Sequence, residues 1–155
     1  MASDSRCSDE HDTHVTSTKK VYRLSNGALY GYAGDSDDRD LRALLSKSTP
    51  RKMPTRAQLA TLKTDAKVIV VFPKGQCYTI EIEFDKEKTN DWVASVDLIT
   101  DEIVAVGSGY QFAMGAMEAG KSPAEAVRIA CRRDLACAPP VQWEPLDRKK
   151  VRPPA

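Results

Sequence analysis

Histidine is almost absent from this chain: His11 and His14 are the only two, and both sit in an acidic, polar N-terminal segment. Both therefore read as solvated loop residues, and no metal centre is expected. The four cysteines, Cys7, Cys77, Cys131 and Cys137, form no C-x-x-C pair and no regular framework. That excludes a disulfide-stapled secreted scaffold and favours reduced thiols in a cytoplasmic protein. No apolar run approaches the roughly 20 residues that span a bilayer. The opening MASDSRCSDEHDTH lacks the basic start and apolar core of a signal peptide. A charge excess of one sign is missing too: 23 Lys and Arg against 22 Asp and Glu leave a net charge of +1. Neither nucleic acid nor an anionic membrane surface is an expected partner of so balanced a chain, and no motif calls for a cofactor.

What is present fits one domain with a sizeable core, given 155 residues. The first fourteen residues read as loop. Lys19–Leu24 reads as a strand, Ser25-Asn26-Gly27 as a turn, and Ala28–Ala33 as the antiparallel partner. Asp35 is a candidate cap for a helix from Ser36 to about Ser46, with Leu41, Leu44 and Leu45 on one face. Residues 46–65 hold two prolines and mixed charge and read as a linker, with a short helix allowed over Arg56–Leu62. Val68–Phe72 is a continuous apolar run, as in a strand covered on both faces. Pro73-Lys74-Gly75 is a turn signal. Tyr78, Ile80, Ile82 and Phe84 alternate with polar residues, as do Trp92, Ala94, Val96 and Leu98, which predicts two strands each with one buried face around a charged turn at 85–90. Ile103–Val106 reads as the last core strand.

Gly107-Ser108-Gly109 then marks a tight exit into a helix whose core face is Tyr110, Ala113, Met114 and Met117, ended by Gly120. Ser122, Pro123 and Glu125 form a capping box with proline at the first helical position. The next buried face is Val127, Ala130, Cys131 and Leu135. Pro139-Pro140 stops that helix, a short strand is allowed at Val141–Trp143, and the DRKKVRPPA tail at 147–155 reads as disordered. Strands and helices so segregated predict an α+β fold.

Five segments, in this order and spacing, resemble the proteasome β-subunit and its bacterial heat-shock relative, members of the N-terminal nucleophile (Ntn) hydrolases. They are Ala2-Ser3-Asp4-Ser5-Arg6, Lys19–Leu24, Gly31-Tyr32-Ala33-Gly34, Ala105–Gly109, and the paired helices Ala113–Ala119 and Ser122–Asp134. The likeness is greatest to short proteasome-like proteins of bacteria and their phages, and covers about residues 2–45 and 68–146. It implies a four-layer αββα sandwich over residues 1–146 and a threonine-type peptidase. In such enzymes an N-terminal Thr hydroxyl attacks a peptide carbonyl, the free α-amine acts as base, and backbone N–H groups hold the oxyanion. The resemblance matches Lys20 to the active-site lysine, Asp4 to the neighbouring aspartate and Gly34 to the oxyanion glycine. It matches Ser108 and Asp134 to the residues that support the amine. Each match has a plainer competitor: a strand lysine, a loop carboxylate, a strand-ending glycine, a turn serine and a helix-end aspartate.

The likeness departs from the family where the nucleophile should be. Asp4 is the fourth residue, so the strand that carries the catalytic Thr is not in this sequence. Ser3 lies beside Asp4 and should not reach Lys20, while Thr13, Thr16 and Thr18 are internal. Two expectations follow: an active peptidase whose true start lies upstream, which the unpaired sheet edge left by a lost strand favours, or a shortened, non-catalytic assembly or binding subunit. An Ntn amidohydrolase acting on a small amide would share the same residues. The implied partners are a peptide or protein substrate and further copies of the chain. No ATPase partner can be read from these residues.

Overall fold

The computed structural model describes residues 1–8, 15–34 and 38–147. The expected helix cap Asp35, the helix start at Ser36, His11, His14, Thr13 and the tail from residue 148 lie outside them. The chain forms β1 (Ala2–Ser3), β2 (Arg6–Ser8), β3 (Val15–Ser17), β4 (Val21–Arg23), β5 (Leu29–Gly34), α1 (Arg39–Ser46), α2 (Arg56–Ala60), β6 (Ala66–Val71), β7 (Cys77–Asp85), β8 (Asp91–Ile99), α3 (Tyr110–Glu118), α4 (Pro123–Arg133) and β9 (Gln142–Trp143). This is the α+β class that the segregation of elements predicts. None of the described helices is long and apolar enough to cross a membrane.

The scaffold is a five-stranded antiparallel sheet in the order β4-β5-β6-β7-β8. Its register turns the period-two sequence patterns into rows. Tyr32, Val68, Ile80 and Val96 stand side by side, as do Gly34, Ala66, Ile82 and Ala94. This face is closed by Leu41 and Leu45 of α1 and Leu59 of α2, all buried in one cluster with Tyr30, Val68, Val70 and Ile80. The opposite face is graded. Leu29, Val71, Cys77 and Ile99 make an apolar row, whereas Ala33, Lys67, Glu81 and Ser95 make a largely polar one. Ile69 and Val71 are only half-buried there, so the Val68–Phe72 run is closed by helices on one face rather than on both.

Local chemistry sets the helix ends. Ser122 and Glu125 cap α4 reciprocally, as the sequence predicts. Thr55 and Gln58 do the same for α2, which turns part of the expected linker into a packed element. Gly120, at φ +82°, ends α3, and its N–H donates to Met117 O at 2.9 Å.

Four other expectations are corrected. The N-terminal segment is not all loop: β1 pairs with β9 and β2 with β3, pairings with partners too distant or too short to show as periodicity. Ile103–Val106 joins no sheet and, among the described residues, takes no backbone–backbone hydrogen bond; its apolar composition lines a cavity instead. Tyr110 is 46% exposed because it sits on the first, open turn of α3. Leu135 is 91% exposed because α4 ends at Arg133, so the helical period no longer applies to it.

Truncating Leu59, which is fully buried, tests whether the 46–65 segment belongs to the core. Leu59→Ala is expected to lower unfolding stability by about 3 kcal/mol in a urea titration; a change below about 1 kcal/mol would show α2 to be peripheral.

Candidate functional site

Lys20 immediately precedes β4. Its backbone N–H donates to Gln142 Oε1 at 2.8 Å, and its carbonyl accepts the N–H of Tyr32 at 3.2 Å. So anchored, the side chain reaches Asp4, with Nζ 3.1 Å from Oδ1 and both side chains less than 15% exposed. The other oxygen of Asp4 accepts the N–H of Arg6 at 3.0 Å and that of Ala138 at 3.4 Å. The carboxylate is therefore satisfied on both oxygens, as a buried charge must be.

Ser108 and Asp134 meet at the junction of the last two helices. Asp134 is the C-terminal cap of α4, and Oδ1 accepts the N–H of Ala136 at 3.0 Å. The Ser108 hydroxyl first, then the Ala136 N–H and the Cys137 thiol, hold its carboxyl below the usual carboxylate range. Cys137 donates its S–H to Oδ2 at 3.3 Å and lies 3.9 Å from the Ser108 hydroxyl. The two groups are neighbours through the chain: Asp4 binds Ala138, the residue after Cys137. The Cys131 thiol, raised by burial, also feels the charges of Asp4, Lys20 and Asp134.

Two cavities adjoin here. One, of about 530 Å³, lies between the apolar row of the sheet and α3 and α4; Ile69, Val71, Met117 and Val127 line it, as do Asp4 and Lys20. The other, of about 700 Å³, opens over the polar row, with Thr18, Lys67, Glu81 and Gly34 on its walls. Lys20 and Ser108 border both. Gly34 thus shares a cavity with Lys20 and Ser108. Its glycine identity has a steric cause as well: at φ +123°, a Cβ would stand 2.2 Å from the carbonyl oxygen of Asp65. In the floor of the second cavity Lys67 and Glu81 form an ion pair, and the Glu81 contact raises the lysine's pKa.

Asp4, Lys20, Gly34 and Ser108 therefore line the two adjoining cavities, and Asp4 and Lys20 touch; Asp134 lines neither and joins the group through Ser108 and Cys137. Sequence reasoning missed Gln142, whose side chain caps the β4 edge through both Lys20 and Val21, and Cys137. The signal for Cys137 was the Asp134-Leu135-Ala136-Cys137 spacing directly after a helix. Among the described residues no group of histidine, cysteine and carboxylate side chains is arranged to hold a metal ion.

No model of a known protein family matches this chain, and no curated protein matches it.

Two outcomes test the geometry. Removing one partner of the mostly buried ion pair strands the other, so Lys20→Ala is expected to cost on the order of 3 kcal/mol of stability. Retention of wild-type stability would show the pair to be solvated in solution. Asp134 has a lowered folded pKa, so its contribution is fully present above the unfolded value near 3.8 and is lost as pH falls through the folded one. The urea midpoints of wild type and Asp134→Asn should therefore differ by a constant amount from about pH 7 to 5 and converge below pH 3.8; a gap that widens in acid contradicts the assignment.

Proposed function

We propose that this chain is a proteasome-like Ntn hydrolase domain whose chemistry is hydrolysis of a peptide or related amide bond at the Lys20 and Asp4 centre. The observation that carries the reading is the 3.1 Å contact between Lys20 and Asp4 at the meeting point of two cavities. The arrangement of layers supports it. α1 and α2 cover one face of the five-stranded sheet. Beyond the other face lie β1, β9 and the unpaired Ile103–Val106, and then α3 and α4. On this reading those three segments belong to the second sheet of an αββα sandwich, and the apolar cavity between them has the place of a central strand.

The nucleophile of the proposed reaction is an N-terminal Thr carried on an extended segment seated in that cavity. The Lys20 ammonium, fixed by Asp4, would then lie beside the free α-amine and favour its neutral, proton-accepting form. The amine would take the proton of the attacking hydroxyl, and Ser108 and Asp134 would orient it. The polar second cavity would receive the substrate, with the backbone N–H of Gly34 facing the developing oxyanion. Self-association through further copies and a cytoplasmic location belong to the same proposal. A non-catalytic assembly subunit is the second reading. It is favoured by the exposed Tyr110, Phe112 and Leu135, large apolar residues beside the ends of α3 and α4.

The deciding experiment compares hydrolysis of fluorogenic peptides by the 155-residue chain and by the chain extended upstream to an N-terminal Thr. The extended chain is expected to turn over and the shorter one to be inactive. Lys20→Ala in the extended chain should lose at least about 100-fold in rate. An inactive, folded extended chain sinks the peptidase reading and leaves the assembly subunit; steady hydrolysis by the 155-residue chain removes the need for the added nucleophile.

A further inference from the structure

Gly109 poses a steric question. Its φ of −79° is one that any residue adopts, so backbone freedom is not why it is glycine. Around it, an added Cβ would stand 2.7 Å from Cys137 Sγ, 3.1 Å from Ala130 Cβ and 3.3 Å from Asp134 Oδ2. The position is thus occupied by the sulfur of a residue 28 positions later, packed against the backbone where α3 begins. That sulfur is half-buried and donates to Asp134 Oδ2, while Gly109 is buried.

We propose that Cys137 is a positioning residue: its S–H, donated to Asp134, fixes that carboxylate beside Ser108, and Gly109 is glycine to admit the sulfur. The interlock ties the end of α4 to the start of α3 at the edge of the cavity that Lys20 and Asp4 border. It concerns the site read above as hydrolytic and rests on that reading for its purpose, but its geometry can be tested without turnover.

The groups that face the thiol are few. Asp134 and Ser108 contact it, Asp4 acts on it through its charge, and Lys20 and Cys131 belong to the same cluster. Burial, and then the bond to Asp134, push the Cys137 thiol up to about 11. At neutral pH it is therefore an S–H donor and a poor nucleophile. A hydroxyl at this position could make the same bond, whereas a methyl group could not and would remove one of the three donors to Asp134.

The test is site-resolved alkylation of the full chain with iodoacetamide, followed by peptide mass across pH 7 to about 10.5, with Cys77 as the internal reference. A wild-type rate at Cys137 that still rises at the top of this range is expected. In Asp134→Asn the midpoint should move down, giving a several-fold faster rate at pH 9. Gly109→Ala should move it the same way, because the methyl group displaces the sulfur from the carboxylate. Because burial also raises the thiol, a merely looser site would lower the midpoint as well, but it would do so at the neighbouring Cys131 too, which burial likewise raises; a shift at Cys131 as large as that at Cys137 overturns the proposal. So does an unchanged midpoint in both variants. If either variant fails to fold, Cys137→Ser and Cys137→Ala decide: serine is expected to keep, and alanine to reduce, the stability difference that Asp134 contributes between about pH 7 and 5. Equal behaviour of the two refutes the donor role. None of these readings depends on hydrolysis, so failure of the interlock and failure of the peptidase reading are separate results.

Discussion

The buried carboxylate of Asp4 holds together three parts of the chain that are remote in sequence. It takes the ammonium of Lys20 at the start of β4, the backbone N–H of Arg6 at the start of β2, and the N–H of Ala138 in the segment after α4. A charge with so little water around it is tolerable only if every lone pair finds a donor and a cation stands close. Meeting that requirement fixes where the N-terminal segment, the edge of the main sheet and the α3–α4 pair lie relative to one another. The two cavities exist at this junction because these three bodies converge on one charge and do not fill the space beside it.

The same junction shows how polarity is partitioned. On its helix-covered face the sheet is uniformly apolar and closed by leucines. On the other it changes along the strands, within four residues of each, from Leu29, Val71, Cys77 and Ile99 to Ala33, Lys67, Glu81 and Ser95. One surface thereby supplies a greasy floor on one side of Lys20 and a charged floor on the other. A hydrolase that must hold its own nucleophile in one compartment and a polar backbone substrate in the next needs such a division. The hydrolytic proposal draws its strength from this layout as well as from the ion pair.

Much of this was legible in the sequence where the cause is local. The alternation from Tyr78 to Leu98, the Ser25-Asn26-Gly27 turn and the Ser122–Glu125 cap are each decided by neighbours a few residues apart. The Asp4–Lys20 pairing was legible only through the resemblance of ordered segments, since no period links a loop carboxylate to a strand lysine. Ile103–Val106 misled because its residues are those of a strand, while a strand also needs a neighbour to bond to, which composition cannot supply. Leu135 misled because a helical period was carried past the residue where the helix stops. β1 was invisible: its partner at Gln142–Trp143 is almost the whole chain away. In the sequence Cys137 is only a thiol without a C-x-x-C partner; its bond, to a carboxylate three residues earlier, depends on the turn the chain makes as α4 ends.

The contact between Gly34 and the carbonyl of Asp65 also bears on how the sheet is assembled. β5 and β6 are two apolar strands that could mispair, and a slip of two residues would keep every side chain on its proper face. A slip that brings Tyr32 there puts a side chain at the place where even a methyl group is 2.2 Å from oxygen. The glycine therefore works as a detent, letting the two strands click into a single alignment and rejecting the alternatives that hydrophobicity alone would accept. The alignment of β5 on β6, and with it the placing of every row on the sheet, is checked by one missing side chain at the end of one strand.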